Sequence, residues 1–172
     1  MSERVAVFID GSNFYFGCKD LIGHARIDFH KLSKTLTTDR TLIRTYYYNA
    51  PLNKESDETK YKAQQRFFEQ LKSTPYLELR LGRLVKRNGV LIEKGIDVSI
   101  AIDMLTLAWN NVYDTAILVS GDGDFAAAVK SVKDKGKHVE NAYFRSSQSN
   151  ALKETCDIEI ELTPAILQQC SA

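Results

Sequence analysis

The sequence predicts an α/β fold with a central, mainly parallel sheet flanked by helices. Apolar runs of strand length alternate with segments of helical period. Two of those runs, Val5-Ala6-Val7-Phe8-Ile9 and Ala116-Ile117-Leu118-Val119, lead directly into acidic segments, as expected where chemistry sits beyond the carboxyl ends of parallel strands. Asn88-Gly89, between Leu84-Val85 and Val90-Leu91-Ile92, marks one antiparallel hairpin excursion.

The first strand, about Arg4–Ile9, is wholly apolar after its first residue. Phe29, Leu32 and Leu36 at helical spacing suggest a helix over Asp28–Leu36, and no element is assigned between Asp10 and Asp28. A strand over Leu42–Tyr48 is ended by Asn49-Ala50-Pro51. The helix over Ser56–Lys72 carries charges on one face and Tyr61, Phe67, Phe68 and Leu71 toward the core. A strand at Leu77–Leu81 precedes the hairpin. The next helix, Val98–Trp109, has Ile100, Met104, Leu107 and Ala108 on its apolar stripe. Strand Thr115–Val119, helix Phe125–Lys135 and strand His138–Phe144 complete the alternation. A short helix at Asn150–Glu154 follows. Ile158-Glu159-Ile160-Glu161-Leu162 alternates like an edge strand, and Thr163-Pro164 can start a last short helix.

At 172 residues, 44% hydrophobic and 26% charged, the chain is expected to form a single globular domain over 1–172. Its formal charge of +1 announces neither nucleic acid nor membrane, so a nucleic-acid partner needs a local basic patch. Cys18, Cys156 and Cys170 are odd in number and lack Cys-x-x-Cys spacing, which suggests neither a disulfide framework nor a zinc site. No apolar run approaches the ~20 residues that span a bilayer, and the chain enters its first strand without a leader pattern. A cytoplasmic protein with no membrane partner is expected.

Carboxylates gathered at one sheet edge repel unless a cation or proton holds them, which makes a divalent-metal site the first hypothesis. Asp10 ends the first strand; a turn residue ahead of Gly11 is the plainer role. Ser12 and Asn13 are good helix caps, and Asn13 could also bond a substrate phosphate or orient Asp10. Asp97 stands near a helix start, where a carboxylate favours the dipole, with Lys94-Gly95 just before it. Asp124 reads as the cap of the helix that Phe125 begins, which leaves Asp122 as the better ligand. Ser120 and Gly121 let backbone approach a ligand closely. Asp103 reads as a polar group behind the site. An EF-hand loop is excluded because the segment from Asp122 lacks its third acid and its glutamate at position 12.

Arg80, Arg83, Lys86, Arg87 and Lys94 concentrate cations around the hairpin. They blunt an exposed edge or contact a phosphate backbone. Tyr46-Tyr47-Tyr48 offers base-stacking surface or core packing, with Tyr46 and Tyr48 on one face and Tyr47 on the other.

Together Val7-Phe8-Ile9-Asp10-Gly11-Ser12-Asn13, Lys94-Gly95-Ile96-Asp97 and Ser120-Gly121-Asp122-Gly123-Asp124-Phe125 resemble the NYN domain family. The resemblance is to its LabA-like branch, within the PIN-like nuclease group. It implies a Rossmann-like PIN-type fold, an acidic pocket for Mg²⁺ or Mn²⁺, and RNA cleavage. Carried over position by position, Asp10, Asp97 and Asp122 become catalytic metal-binding acids, Asp124 completes the pocket, and Asn13 and Ser120 support it. The expected function is a metal-dependent endoribonuclease. The substrate-binding set is Ser12, Asn13, Lys94, Ser120, Arg83, Lys86 and Arg87. A non-catalytic regulatory or RNA-binding module and a small-molecule phosphohydrolase are the alternatives. The alternation of Ile158–Leu162 permits edge pairing in a homodimer.

Overall fold

A computed structural model describes residues 2–172. A six-stranded, all-parallel sheet runs in the order β3-β2-β1-β6-β7-β8. Its strands are β1 (Arg4–Asp10), β2 (Thr41–Asn49), β3 (Leu77–Leu81), β6 (Thr115–Val119), β7 (His138–Tyr143) and β8 (Ile158–Glu161). Counted along the sheet, this is the doubly wound Rossmann order, with the chain reversing direction of travel between β1 and β6. A separate antiparallel pair, β4 (Arg83–Arg87) and β5 (Val90–Lys94), forms the expected hairpin around Asn88-Gly89.

Helices cover both faces. On one side α1 (Gly11–Ile22), α2 (Phe29–Thr37), α3 (Glu58–Lys72) and α7 (Pro164–Gln169) pack on Val5, Val7, Ile9, Tyr47, Ile117 and Val119. On the other, α4 (Ile96–Trp109), α5 (Ala126–Asp134) and α6 (Asn150–Thr155) pack on Ala6, Phe8, Tyr46, Tyr48, Ala116 and Leu118. Alternate residues of β1 thus enter opposite cores, which is why this strand carries no polar residue between Arg4 and Asp10. Ile96, Ile100, Met104 and Ala108 are the buried positions of α4, at strict four-residue spacing.

Most expected elements stand within one or two residues of their observed bounds. Helix α1 is the exception, since no element was expected there. Its glycines and polar residues mute the periodic signal, and its start is fixed by the Asp10 carboxylate rather than by an apolar stripe. Asp10, and not Ser12 or Asn13, is the cap: it accepts the Asn13 backbone N–H. Likewise Asp122 rather than Asp124 takes the capping role, accepting the Asp124 N–H at the head of a 3₁₀ turn, Gly123–Phe125, that precedes α5. Strand β8 is an edge strand as expected, paired in parallel with β7 only.

The tyrosine run is core. Tyr46, Tyr47 and Tyr48 are all buried, with Tyr47 on the opposite face from the other two, so none offers a surface for base stacking. Among the described residues no helix is long and apolar enough to cross a membrane.

Candidate metal centre

The carboxyl ends of β1 and β6, adjacent strands at the reversal point, bring Asp10 and the Ser120–Asp124 segment together. Open α/β sheets bind ligands at this crevice. Asp10 is buried, and both its oxygens are engaged: Oδ1 accepts the Asn13 N–H at 3.2 Å and Oδ2 accepts the Ser120 hydroxyl at 3.1 Å. Ser120 Oγ in turn accepts the Asp122 N–H at 3.2 Å. The Asn13 side-chain oxygen accepts the Gly121 N–H at 3.2 Å, tying α1 to the loop after β6. Asp10, Asn13, Ser120 and Asp122 are therefore one hydrogen-bonded unit.

Two glycines make this unit possible. A methyl group on Gly11 would strike the Tyr48 carbonyl oxygen and stand 2.7 Å from the Tyr47 ring, so only glycine lets α1 leave β1 this close to β2. A methyl on Gly121 would strike the Ser147 carbonyl oxygen and stand 2.7 Å from the Ser147 carbonyl carbon.

Asp97 arrives from the first turn of α4, whose N-cap is Gly95 in the left-handed conformation with no side-chain cap bond. Asp97 is exposed, as is Asp124, while Asp122 is half-buried. Crowding by surrounding protein lifts the Asp97 carboxyl above its ordinary range, and the charges of Asp122 and then Asp124 lift it further. That coupling places the Asp97 carboxylate within electrostatic reach of the pair from the β6 loop. Among the described residues no three ligand-type side chains are gathered tightly enough to form a ready cage. The donor set nevertheless suits a hard divalent cation: carboxylate oxygens of like charge that a cation would neutralise.

A model of the NYN domain matches residues 4–163. The chain belongs to the NYN domain family. That family falls within the PIN-like nucleases, which as a group use divalent metals. No curated protein matches this NYN chain. A crystal structure of a protein of unknown function from Vibrio parahaemolyticus RIMD 2210633 shares its fold. The TM-score is 0.77 at 23% identity, over 95% of this chain and 94% of that one.

The hairpin cations Arg83, Lys86, Arg87 and Lys94 are exposed. Arg83 and Lys94 are direct cross-strand partners at the hairpin base, one residue from Gly95 and the start of α4. Arg80, expected among them, is instead held on β3 by Glu78 and by Asp103 at 2.9 and 2.7 Å. Asp103 lies not beside the other acids but against Tyr48, whose hydroxyl donates to it at 2.7 Å. Ser12 is half-buried in the first turn of α1.

Sequence reasoning missed Asn141. This fully buried side chain donates to the Leu118 and Ser120 carbonyls at 3.0 and 2.8 Å and holds the end of β6. A polar residue inside the expected buried strand His138–Phe144 was the available signal.

Proposed function

We propose that this NYN domain is a metal-dependent endoribonuclease, with Asp10, Asp97 and Asp122 as the metal-binding catalytic acids and Asp124 completing the set. The observation that carries the reading is the convergence of acids from β1, the β6 loop and α4 at the sheet's reversal point, with Asp97 raised from its ordinary value first by the protein crowding it and then by the charges of Asp122 and Asp124. A bound Mg²⁺ or Mn²⁺ would supply an activated water and neutralise charge growing on the phosphate. With the acids not closed into a cage, it would be held partly through its own water shell, as Mg²⁺ commonly is.

The chain's own residues do the positioning. Ser120 and the Asn13 N–H fix both oxygens of Asp10, and Asn13 pins the Gly121 backbone. Beside them Arg83 and Lys94 face each other as like charges, an unfavourable pairing that a phosphate relieves. With Lys86 and Arg87 they would bind the RNA backbone. The exposure of Asp97 and Asp124 leaves the acids open to a polymer, against the closed pocket of a small-molecule phosphohydrolase.

Labelled RNA incubated with wild type, Asp97→Asn and Asp122→Asn, in Mn²⁺, Mg²⁺ or EDTA, tests the proposal. Cleavage that needs metal and is lost in both variants is the expected result. RNA bound but never cut by wild type would replace it with a non-catalytic RNA-binding module. Unchanged cleavage in both variants would refute the site.

A further inference from the structure

A cavity lined in part by Tyr48 and Ile96 lies near the acids. It has a volume of about 220 Å³ and is lined by Tyr48, Arg80, Gly82, Ile96, Ser99 and Asp103, with Leu81 and Ile102 at its rim. Tyr48 is the cross-strand partner of Asp10, and Ile96 and Ser99 flank Asp97 on α4, so cavity and acids are adjacent in the fold. The volume falls below the ~300–1,000 Å³ of pockets for drug-sized ligands, and suits one small ring system.

Arg80 gives the cavity its character. Its guanidinium carbon lies over the Tyr46 ring, 5.0 Å from the ring centre. Its edges are pinned by Glu78 and Asp103, and Asp103 is itself pinned by the Tyr48 hydroxyl. Yet the side chain remains 35% exposed and lines the cavity. With its guanidinium over Tyr46 and its edges held by two carboxylates, it offers the cavity a fixed, planar cationic group. Unpaired bases stack on such planes. Leu81, Ile96 and Ile102 supply apolar walls, and Ser99 a hydroxyl that can donate or accept.

We propose that this cavity receives one unpaired nucleobase, stacked on Arg80, so that the strand bound at the acids must be single-stranded at that nucleotide. The proposal deepens the nuclease reading and rests on it for the identity of the polymer, though not for binding of a lone nucleotide. Arg83 follows Gly82 and Asp97 follows Ile96 in the chain, and Lys94 is the cross-strand partner of Arg83, so a base in this cavity would direct its sugar–phosphate toward these three.

The test is ¹H–¹⁵N NMR titration of the full chain in EDTA with the four nucleoside 5′-monophosphates, and with inorganic phosphate as control. Saturable shifts at millimolar nucleotide are expected for the Gly82, Ser99 and Ile102 amides and the Arg80 side chain, and are not expected with phosphate. Ser99→Trp, which fills the cavity, should abolish them. Arg80→Lys, which keeps the charge but removes the plane, should weaken them at least tenfold while preserving the dispersed spectrum of a folded protein. A single-stranded heptanucleotide should displace the monophosphate and a blunt duplex should not. Shifts reproduced by phosphate alone, surviving both cavity variants, or absent altogether would overturn the proposal. Absent shifts with Asp97-dependent cleavage intact sink the base pocket alone, whereas shifts without cleavage sink the nuclease reading alone.

Discussion

Gly121→Ala isolates the loop that presents Asp122. The added methyl would strike the Ser147 carbonyl oxygen and stand 2.7 Å from both its carbon and its Oγ. Ordinary contact begins at 3.4 Å, so relief from the carbon alone needs about 0.7 Å, and the oxygen demands more. Ser147 belongs to a backbone turn (Arg145–Ser147) rather than a flexible side-chain tip, so the strain passes to the Ser120–Asp122 segment. The Gly121 N–H bond to Asn13 and the Asp122 N–H bond to Ser120 lie on that segment. Overpacking of this kind costs ~1–3 kcal/mol, read in a chain this size as roughly 2–4 °C of melting temperature per kcal/mol. Misplacing a reacting group by about 1 Å costs on the order of 10²-fold. We therefore expect a 10- to 100-fold (order-of-magnitude) loss of kcat/KM for RNA cleavage, with a fall in melting temperature too small to unfold the protein at assay temperature. The pair of measurements is cleavage kinetics under saturating Mn²⁺ and a thermal melt on the same preparation. Full activity with an unchanged melt would show that the loop does not hold Asp122 rigidly, and the reasoning would fail.

Three further outcomes are expected. Arg40→Ala strands Glu140, whose side chain is only 7% exposed and now bonded twice by the guanidinium at 2.6 and 2.9 Å; denaturant titration should show a loss of roughly 3–5 kcal/mol, with RNA cleavage at a permissive temperature retained. Bonds from Arg4, first its side chain and then its backbone, lower the Asp114 carboxyl from 3.8 to about 2. A lowered folded-state value stabilises above the unfolded value and is lost as pH falls, so acid melts should weaken between about pH 4 and 2, and Asp114→Asn should flatten that window. Finally, Arg83→Ala with Lys94→Ala should reduce the salt slope of single-stranded RNA binding by about 1.4, measured by fluorescence anisotropy across a salt series; an unchanged slope would remove these two cations from the RNA path.

The sheet was legible because buried parallel strands must be apolar on both faces, and β1 and β6 are. Asp10 and Asp122 stood out for the same reason: Asp10 directly follows the apolar run of β1, and Asp122 lies three residues past the last apolar residue of β6. What escaped was governed by contacts distant in sequence. Helix α1 begins at an acid, Asp10, that is also hydrogen-bonded to the loop after β6, and Gly11 and Gly17 dilute its periodicity while fitting against Tyr48 and Phe144. The caps were assigned one residue pair away because Asp122 and Asp124 look equivalent until the 3₁₀ turn decides between them. The tyrosine run shows its alternation in sequence, but burial of both faces follows only from helices on both sides of β2. Arg80 looked like one more hairpin cation. Its partners Asp103 and Tyr46 lie 23 residues ahead and 34 behind, a pairing no local pattern reveals.

Asp10 starts a helix and Asp122 starts a turn, so each is part of the scaffold as well as of the acidic set. Asp97 starts nothing, since Gly95 occupies that place in α4. Its carboxylate also sits uneasily among its neighbours. On the proposed ribonuclease reading, a lineage released from cutting RNA would lose at this position no cap, only a carboxylate that favours the start of α4, and would shed one repelling charge. On that same reading, an NYN chain that keeps both capping acids but has given up the equivalent of Asp97 is the expected form of a descendant that still folds but no longer cleaves.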